Sequence, residues 1–230
     1  MTRRMVLVPV LGAGFLCSGQ VTGLPSGARE LYFGGLPDVG GESTAGAAAP
    51  PPRMAAVNRP IGLRYSILKM EGDRGTEVPV TTRFRSGDRI QLVLEANQAA
   101  YLYVVTQGSS GAWRTLYPGP GAKAGSNRLR AGQAHVSRFR LDERPGVEKL
   151  FVALSRAPEK DLDGLVFELR SQNREVSDPV VAQLRTSASR DMVLEDGANS
   201  PDRTDRAVYA VSKAPGAGAR VVVDIRLAHD

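Results

Sequence analysis

The sequence predicts a mainly β protein, an antiparallel β-sandwich carrying one or two short helices. Three observations lead there. Apolar residues alternate with polar ones at period two over several runs of strand length. Gly, Pro, Asn and Asp gather between those runs, where the chain must turn. A helical period is confined to the region after Pro158.

The first strand begins near Ile61, with Ile61, Leu63, Tyr65 and Ile67 on one face, Arg64 and Ser66 on the other, and a turn over residues 71–75. Val78, Val80, Thr82 and Phe84 predict a second strand, whose Pro79 suits an edge or an end because proline has no N–H to donate. The patterning is clearest over residues 87–118. There Ile90, Leu92 and Leu94 alternate with Arg89, Gln91 and Glu95, Asn97 and Gln98 interrupt, and residues 100–106 resume with both faces apolar, as in a central strand. A flexible reversal over residues 108–111 leads to Trp113, Thr115 and Tyr117 on one face of a third strand, which Pro118 ends. These segments predict a β-meander.

Residues 135–141 and 147–155 predict two further strands joined by residues 142–146, the second apolar on both faces and so central. After Pro158, Leu162, Leu165, Val166 and Leu169 recur at helical spacing. Glu159, Asp161 and Asp163 near the start and Arg170 near the end match the helix dipole. A second, shorter helix is predicted from Asp178 and Pro179. Residues 207–212 and 220–227 flank a turn-rich stretch and predict a terminal hairpin. The architecture that accommodates these elements is a sandwich of immunoglobulin-like or related type.

The organisation expected is therefore a signal peptide over residues 1–28, a flexible Pro/Ala/Gly linker over 29–60, a sandwich core over 61–157, a helical and loop segment over 158–205 and a C-terminal β-hairpin over 206–230. Arg3 and Arg4 followed by an apolar run from Met5 to Cys17 suit an export signal, and Pro9, Gly12 and Gly14 make the run too broken for a membrane span, which needs about 20 apolar residues. Cleavage is expected after Gly19 or after Ala28. An acylated Cys17 is disfavoured by the bulky Leu16 before it, and the paired arginines resemble a twin-arginine signal only loosely. Either cut removes Cys17, the single cysteine, leaving no disulfide and no thiol chemistry in the mature chain. The expected location is periplasmic or secreted, with no transmembrane span in the mature chain. Residues 40–60 are small and proline-rich and cannot bury enough surface to offset ordering. Ala28 to Phe33 is the sticky patch before them, expected to be a docking segment.

Several motifs resemble the domain-of-unknown-function 4384 family of exported bacterial proteins. They are LRYSILK from Leu63, SGDRIQLVLEAN from Ser86, YLYVVTQGSSGAW from Tyr101, LYP from Leu116 and PGVEKLFVALSR from Pro145. The similarity covers residues 61–158, and AREL from Ala28 and DIRLAH from Asp224 resemble flanking pieces of some members. The resemblance implies export or envelope association, a mostly β domain and an accessory role beside other modules. It implies no activity and no catalytic residue.

The chemistry offered is sparse. His135 and His229 are the only histidines and lie far apart in sequence, so no metal site and no cofactor is expected. His135 with Asp142 and Ser109 or Ser110 could be imagined as a triad, but GSSGAW lacks a nucleophile elbow. Asp161, Asp163 and Gly164 lack the further ligands of a calcium loop, and neither glycine cluster is followed by the Gly-Lys-Ser/Thr of a phosphate loop. The chain is thus expected not to be an enzyme.

Charge is more informative. No acidic residue lies between Glu95 and Asp142, whereas Arg114, Lys123, Arg128, Arg130, Arg138 and Arg140 all do, and together they equal the net charge of +6. With Trp113 and Tyr117 they are the candidate ligand-binding residues. The function expected is a non-catalytic binding or scaffolding module that docks on another envelope or secreted protein. The alternative is a binder of an anionic envelope ligand, a polysaccharide or lipid headgroup, through one basic face. Nucleic acid is disfavoured by export.

Overall fold

A computed structural model describes residues 27–34, 59–109, 111, 113–119, 121–123, 125–160, 162–163, 192–196 and 206–230. All but the last two residues of the expected signal peptide, most of the linker, the remainder of the helix after Pro158 and the helix expected at Asp178 lie outside the described residues. The protein is mainly β, with two antiparallel sheets and one short helix among the described residues.

The helix α1 (Ala28–Gly34) precedes β1 (Ile61–Glu71), β2 (Arg74–Val78), β3 (Arg89–Ala96), β4 (Ala100–Gln107), β5 (Trp113–Tyr117), β6 (Arg128–Leu129), β7 (Ala134–Arg140), β8 (Gly146–Ser155), β9 (Met192–Asp196), β10 (Val208–Ser212) and β11 (Arg220–His229). Sheet A runs β7-β3-β1-β10-β9, with β2 on the far half of β1, and sheet B runs β11-β8-β4-β5, with β6 beside the start of β4. The inner faces meet in one core. Ile61, Leu63, Tyr65 and Ile67 of β1 and Ile90, Leu92 and Leu94 of β3 pack there with Leu102 and Val104 of β4, Leu150, Val152 and Leu154 of β8 and Val221, Val223, Ile225 and Leu227 of β11.

Four expectations change. First, β3 and β4 do not form a meander: they lie in different sheets, because the chain turns a corner at Asn97 and crosses the sandwich. Of the three strands of the expected meander, only β4 and β5 pair as a hairpin. Second, the C-terminal hairpin is not a hairpin. β10 pairs with β1 and β9 in sheet A, β11 pairs with β8 in sheet B, and the turn between them again crosses the core. Both sheets are completed by strands from beyond residue 157, β9 and β10 in sheet A and β11 in sheet B.

Third, the second strand is Arg74–Val78 rather than one running to Phe84. The Glu71↔Arg74 pairing leaves a two-residue loop, and Gly72 supplies its positive φ of 63°. Phe84 instead makes an isolated parallel bridge to His229. Fourth, the segment read as helix and loop contains β9.

Both outer faces carry apolar residues. On sheet B, Tyr103, Val105, Phe151, Ala153 and Val222 are buried. Leu162, from the first helical turn after Pro158, is buried as well, and the Tyr103 hydroxyl donates to Asp163 Oδ1 at 2.9 Å. On sheet A the cover is α1.

Candidate functional site

The patch from Ala28 to Phe33, expected as a docking segment, is docked on its own molecule. A helix of seven residues is too short to hold itself in water, and its stability comes from the socket beneath. Ala28 and Tyr32 are buried against Ala207, Tyr209 and Val211. The Tyr32 ring sits over Gly62, where a side-chain Cβ would lie 2.9 Å from Tyr32 Cδ2 and 3.0 Å from Asn97 Nδ2. Asn97 is fully buried and satisfied: Oδ1 accepts from Gly62 N at 2.7 Å, and Nδ2 donates to Tyr32 O and Pro60 O at 3.2 Å each. The Tyr32 hydroxyl donates to Glu95 Oε1 at 3.1 Å, and burial, reinforced by the Glu95 charge, pushes its pKa well above the tyrosine range. Glu195 of β9 accepts from Arg29 N at 3.1 Å. Residues 29–34 are thus structured, not linker.

Among the described residues, the other half of the outer face of sheet A has no such cover. In register, Arg89 of β3 stands opposite Arg140 of β7, and Gln91 opposite Arg138. Like charges directly across a strand pair are unfavourable. Arg140 is tied to Glu143 Oε1 at 2.8 Å and to Gly87 O at 2.9 Å. Arg89 and Arg138 are exposed and form no ion pair among the described residues. The three arginines border a depression of about 510 Å³ walled by Met70, Gly72 and Asp73 of the β1–β2 hairpin. Arg89 was missed in the sequence because its partner strand lies some 50 residues downstream, and its only local signal was an outward position in the alternation.

A second cavity, about 270 Å³, lies between the neighbouring edges of β7 and β5, where Leu116 and Phe139 meet Arg114, Arg138, Arg140 and Asp142. Arg114 pairs with Asp142 at 3.0 Å. Tyr117 lies against His135 with ring centroids 3.8 Å apart, and its hydroxyl donates to Ser126 O at 2.9 Å.

The expected residues therefore divide. Arg114, Arg138 and Arg140 converge near β7. Arg128, facing Tyr101 of β4, and the exposed Arg130 sit by another hollow with Ala99 and Ala131. Arg114 faces Thr106 of β4, five positions from Tyr101, a separation of roughly 16 Å at the rise of a strand. Lys123 is exposed on the intervening loop. Trp113 lies opposite Gln107 in the backbone register, and its side chain lies outside the described residues.

His135 and Asp142 are not brought together. His135 Nε2 is 3.1 Å from Ser137 Oγ, and burial lowers its pKa. Ser109 Oγ lies 3.4 Å from Asp142 Oδ2 and donates to Arg144 O at 2.8 Å, with His135 apart from both. The nearest thing to a triad was not anticipated. Ser86 Oγ is 3.0 Å from His229 Nδ1, and His229 Nε2 is 3.8 Å from Glu148 Oε1. The His229 side chain is wholly buried and lines neither of the two cavities above. Glu148 accepts from Asp142 N at 2.9 Å, and its pKa is raised chiefly by burial. This array ties β8, β11 and the loop at Ser86 together. No group of three or more metal-ligating side chains occurs among the described residues, and no helix among them is long and apolar enough to cross a membrane.

Residues 83–158 match the family described as Domain of unknown function (DUF4384), a span running from just before the Phe84 bridge to the end of the loop after β8. No curated protein and no solved structure matches the chain.

Proposed function

We propose, with that family as premise, that this chain is an exported, non-catalytic binding module that docks on another envelope or secreted protein through the free edge of β7. The observation that carries it is the unequal treatment of strand edges. The last residues of β11 are occupied on their free side: Phe84 N donates to Ala228 O at 2.9 Å, Asp230 N to Phe84 O at 3.2 Å and Ser86 N to Asp230 O at 2.7 Å. Among the described residues β7 pairs with β3 alone, and Ala134, Arg138 and Arg140 along it are exposed. An unpaired row of N–H and C=O groups is a template for a further strand.

The alternative, an anionic polysaccharide or lipid headgroup held by one basic face, draws less support. The cations it needs are divided between β7 and the Arg128 hollow. Export rests on the basic leader and the cysteine-free remainder. Of the two cleavage points, the one after Gly19 keeps α1 whole, whereas a cut after Ala28 removes a buried residue and the Gly27 carbonyl that accepts from Leu31 N at 3.2 Å.

A photo-crosslinking amino acid at position 138, compared with one at position 130 in intact cells, tests the docking edge. Adducts with an exported protein from 138 and not from 130 are expected. Equal adducts from both positions, or none from 138, overturn the assignment.

A further inference from the structure

The edge of β7, unpaired on one side among the described residues, and the space beside it specify what kind of strand would complete sheet A, an inference that rests on the docking proposal above. Successive residues of β7 face opposite ways. Arg138 and Arg140 stand on the outer face beside Arg89. Ser137 is buried and Phe139 packs against the core, next to the cleft that Leu116 of β5 also lines.

A strand laid along β7 continues this alternation, with directly opposed side chains about 5 Å apart. Its outward side chains meet cations whose mutual repulsion a carboxylate relieves. Its inward side chains meet Phe139 and Leu116. The cleft also fixes the register: Tyr117 against His135 closes one end, and the Arg114–Asp142 pair bounds the other. The open portion of the edge is thus Ser137 through Arg140. We propose that β7 receives an extended segment of another protein in which acidic and apolar residues alternate, placing one apolar side chain in the cleft and its flanking carboxylates on Arg138, Arg140 and Arg89.

A polysaccharide or a phosphate carries the charge but neither the backbone donors nor the alternation, so the two chemistries separate experimentally. The test uses the chain with α1 retained and fluorescence anisotropy of a labelled peptide, Gly-Glu-Val-Glu-Leu-Glu-Val-Glu-Gly. The comparison probes are an isomer with its acids in one block, the same peptide N-methylated at alternate residues, and inorganic polyphosphate as competitor. Saturable binding of the alternating peptide is expected, weakened about tenfold or more by blocking the acids, by N-methylation and by the double variant R89S/R138S. R128S/R130S should change it less than about twofold. Equal binding of the block isomer, equal weakening by R128S/R130S, displacement by polyphosphate at matched charge, or absence of saturable binding each overturns the proposal. If position 138 crosslinks to an exported protein but the peptides are not distinguished, docking stands and the alternating pattern falls. If the peptides are distinguished but position 138 crosslinks to nothing, the docking assignment falls instead.

Discussion

The outer face of sheet A is two surfaces on one set of strands, and the difference between them separates what holds the fold from what is left to recognise. Over β10 and the start of β1, the outward residues are Tyr209, Val211 and Gly62, and the chain supplies its own cover in α1. Over β3 and β7 they include Arg89, Gln91, Arg138 and Arg140 beside the Val93–Val136 pair, and no cover is present among the described residues. Arg64 and Glu95 mark the border, 3.9 Å apart, with Glu95 also holding the Tyr32 hydroxyl. An aromatic ring over a glycine gap is a stability device. Exposed arginines on an unpaired edge are not.

The sharpest way to break this contrast is Tyr32→Ala, which removes the ring from the Gly62 gap and leaves Glu95 without its donor. A loss of roughly 3 to 5 kcal/mol is expected in urea unfolding, and a negligible change would mean that α1 covers nothing essential. Next comes Gly62→Ala, whose Cβ would stand 2.9 Å from the Tyr32 ring. It should cost about 1 to 3 kcal/mol, and combining it with Tyr32→Ala should restore part of that loss, since the clash with the ring is gone while the close approach to Asn97 at 3.0 Å remains.

A smaller effect is expected at Glu148, away from both surfaces. Burial first, and the Asp142 charge after it, raise its pKa, with the Asp142 N–H and His229 opposing. The native state therefore holds this proton to higher pH than the unfolded chain does. Stability from this group falls as pH rises from the ordinary carboxylate range, 4.5, through the raised value. Glu148→Gln should flatten that slope in unfolding midpoints measured across pH, and an unchanged slope would remove Glu148 as its source. Smallest of all, R89S/R138S should leave the unfolding midpoint where it is, because neither arginine holds an ion pair among the described residues. A marked drop would make the bare half structural after all.

Much of the local structure was readable because period two is a property of neighbours. β1, β3, β4, β5, β7 and β8 fall within a residue or so of where alternation put them. β9 escaped because Met192–Asp196 is short and set among polar residues, and β2 because Gly72 closes a tighter loop than the polar run suggested. The sticky patch at α1 was visible, but not its target, which combines Gly62, Asn97, Glu95 and Glu195 from distant parts of the chain. The basic residues were visible as a count, not as two groups.

Alternation, turn residues and the charge ledger belong to the chain read a few residues at a time, and so the sequence by itself determined that this protein is mainly β, where its central strands lie and which segment is basic. Which strands are neighbours was decided only in three dimensions. A strand offers the same backbone groups to any partner, and the choice falls to whichever arrangement buries the most apolar surface across both sheets. That choice put Arg89 across from Arg140, sent β3 and β4 to opposite sheets, and left β7 with one side unpaired among the described residues.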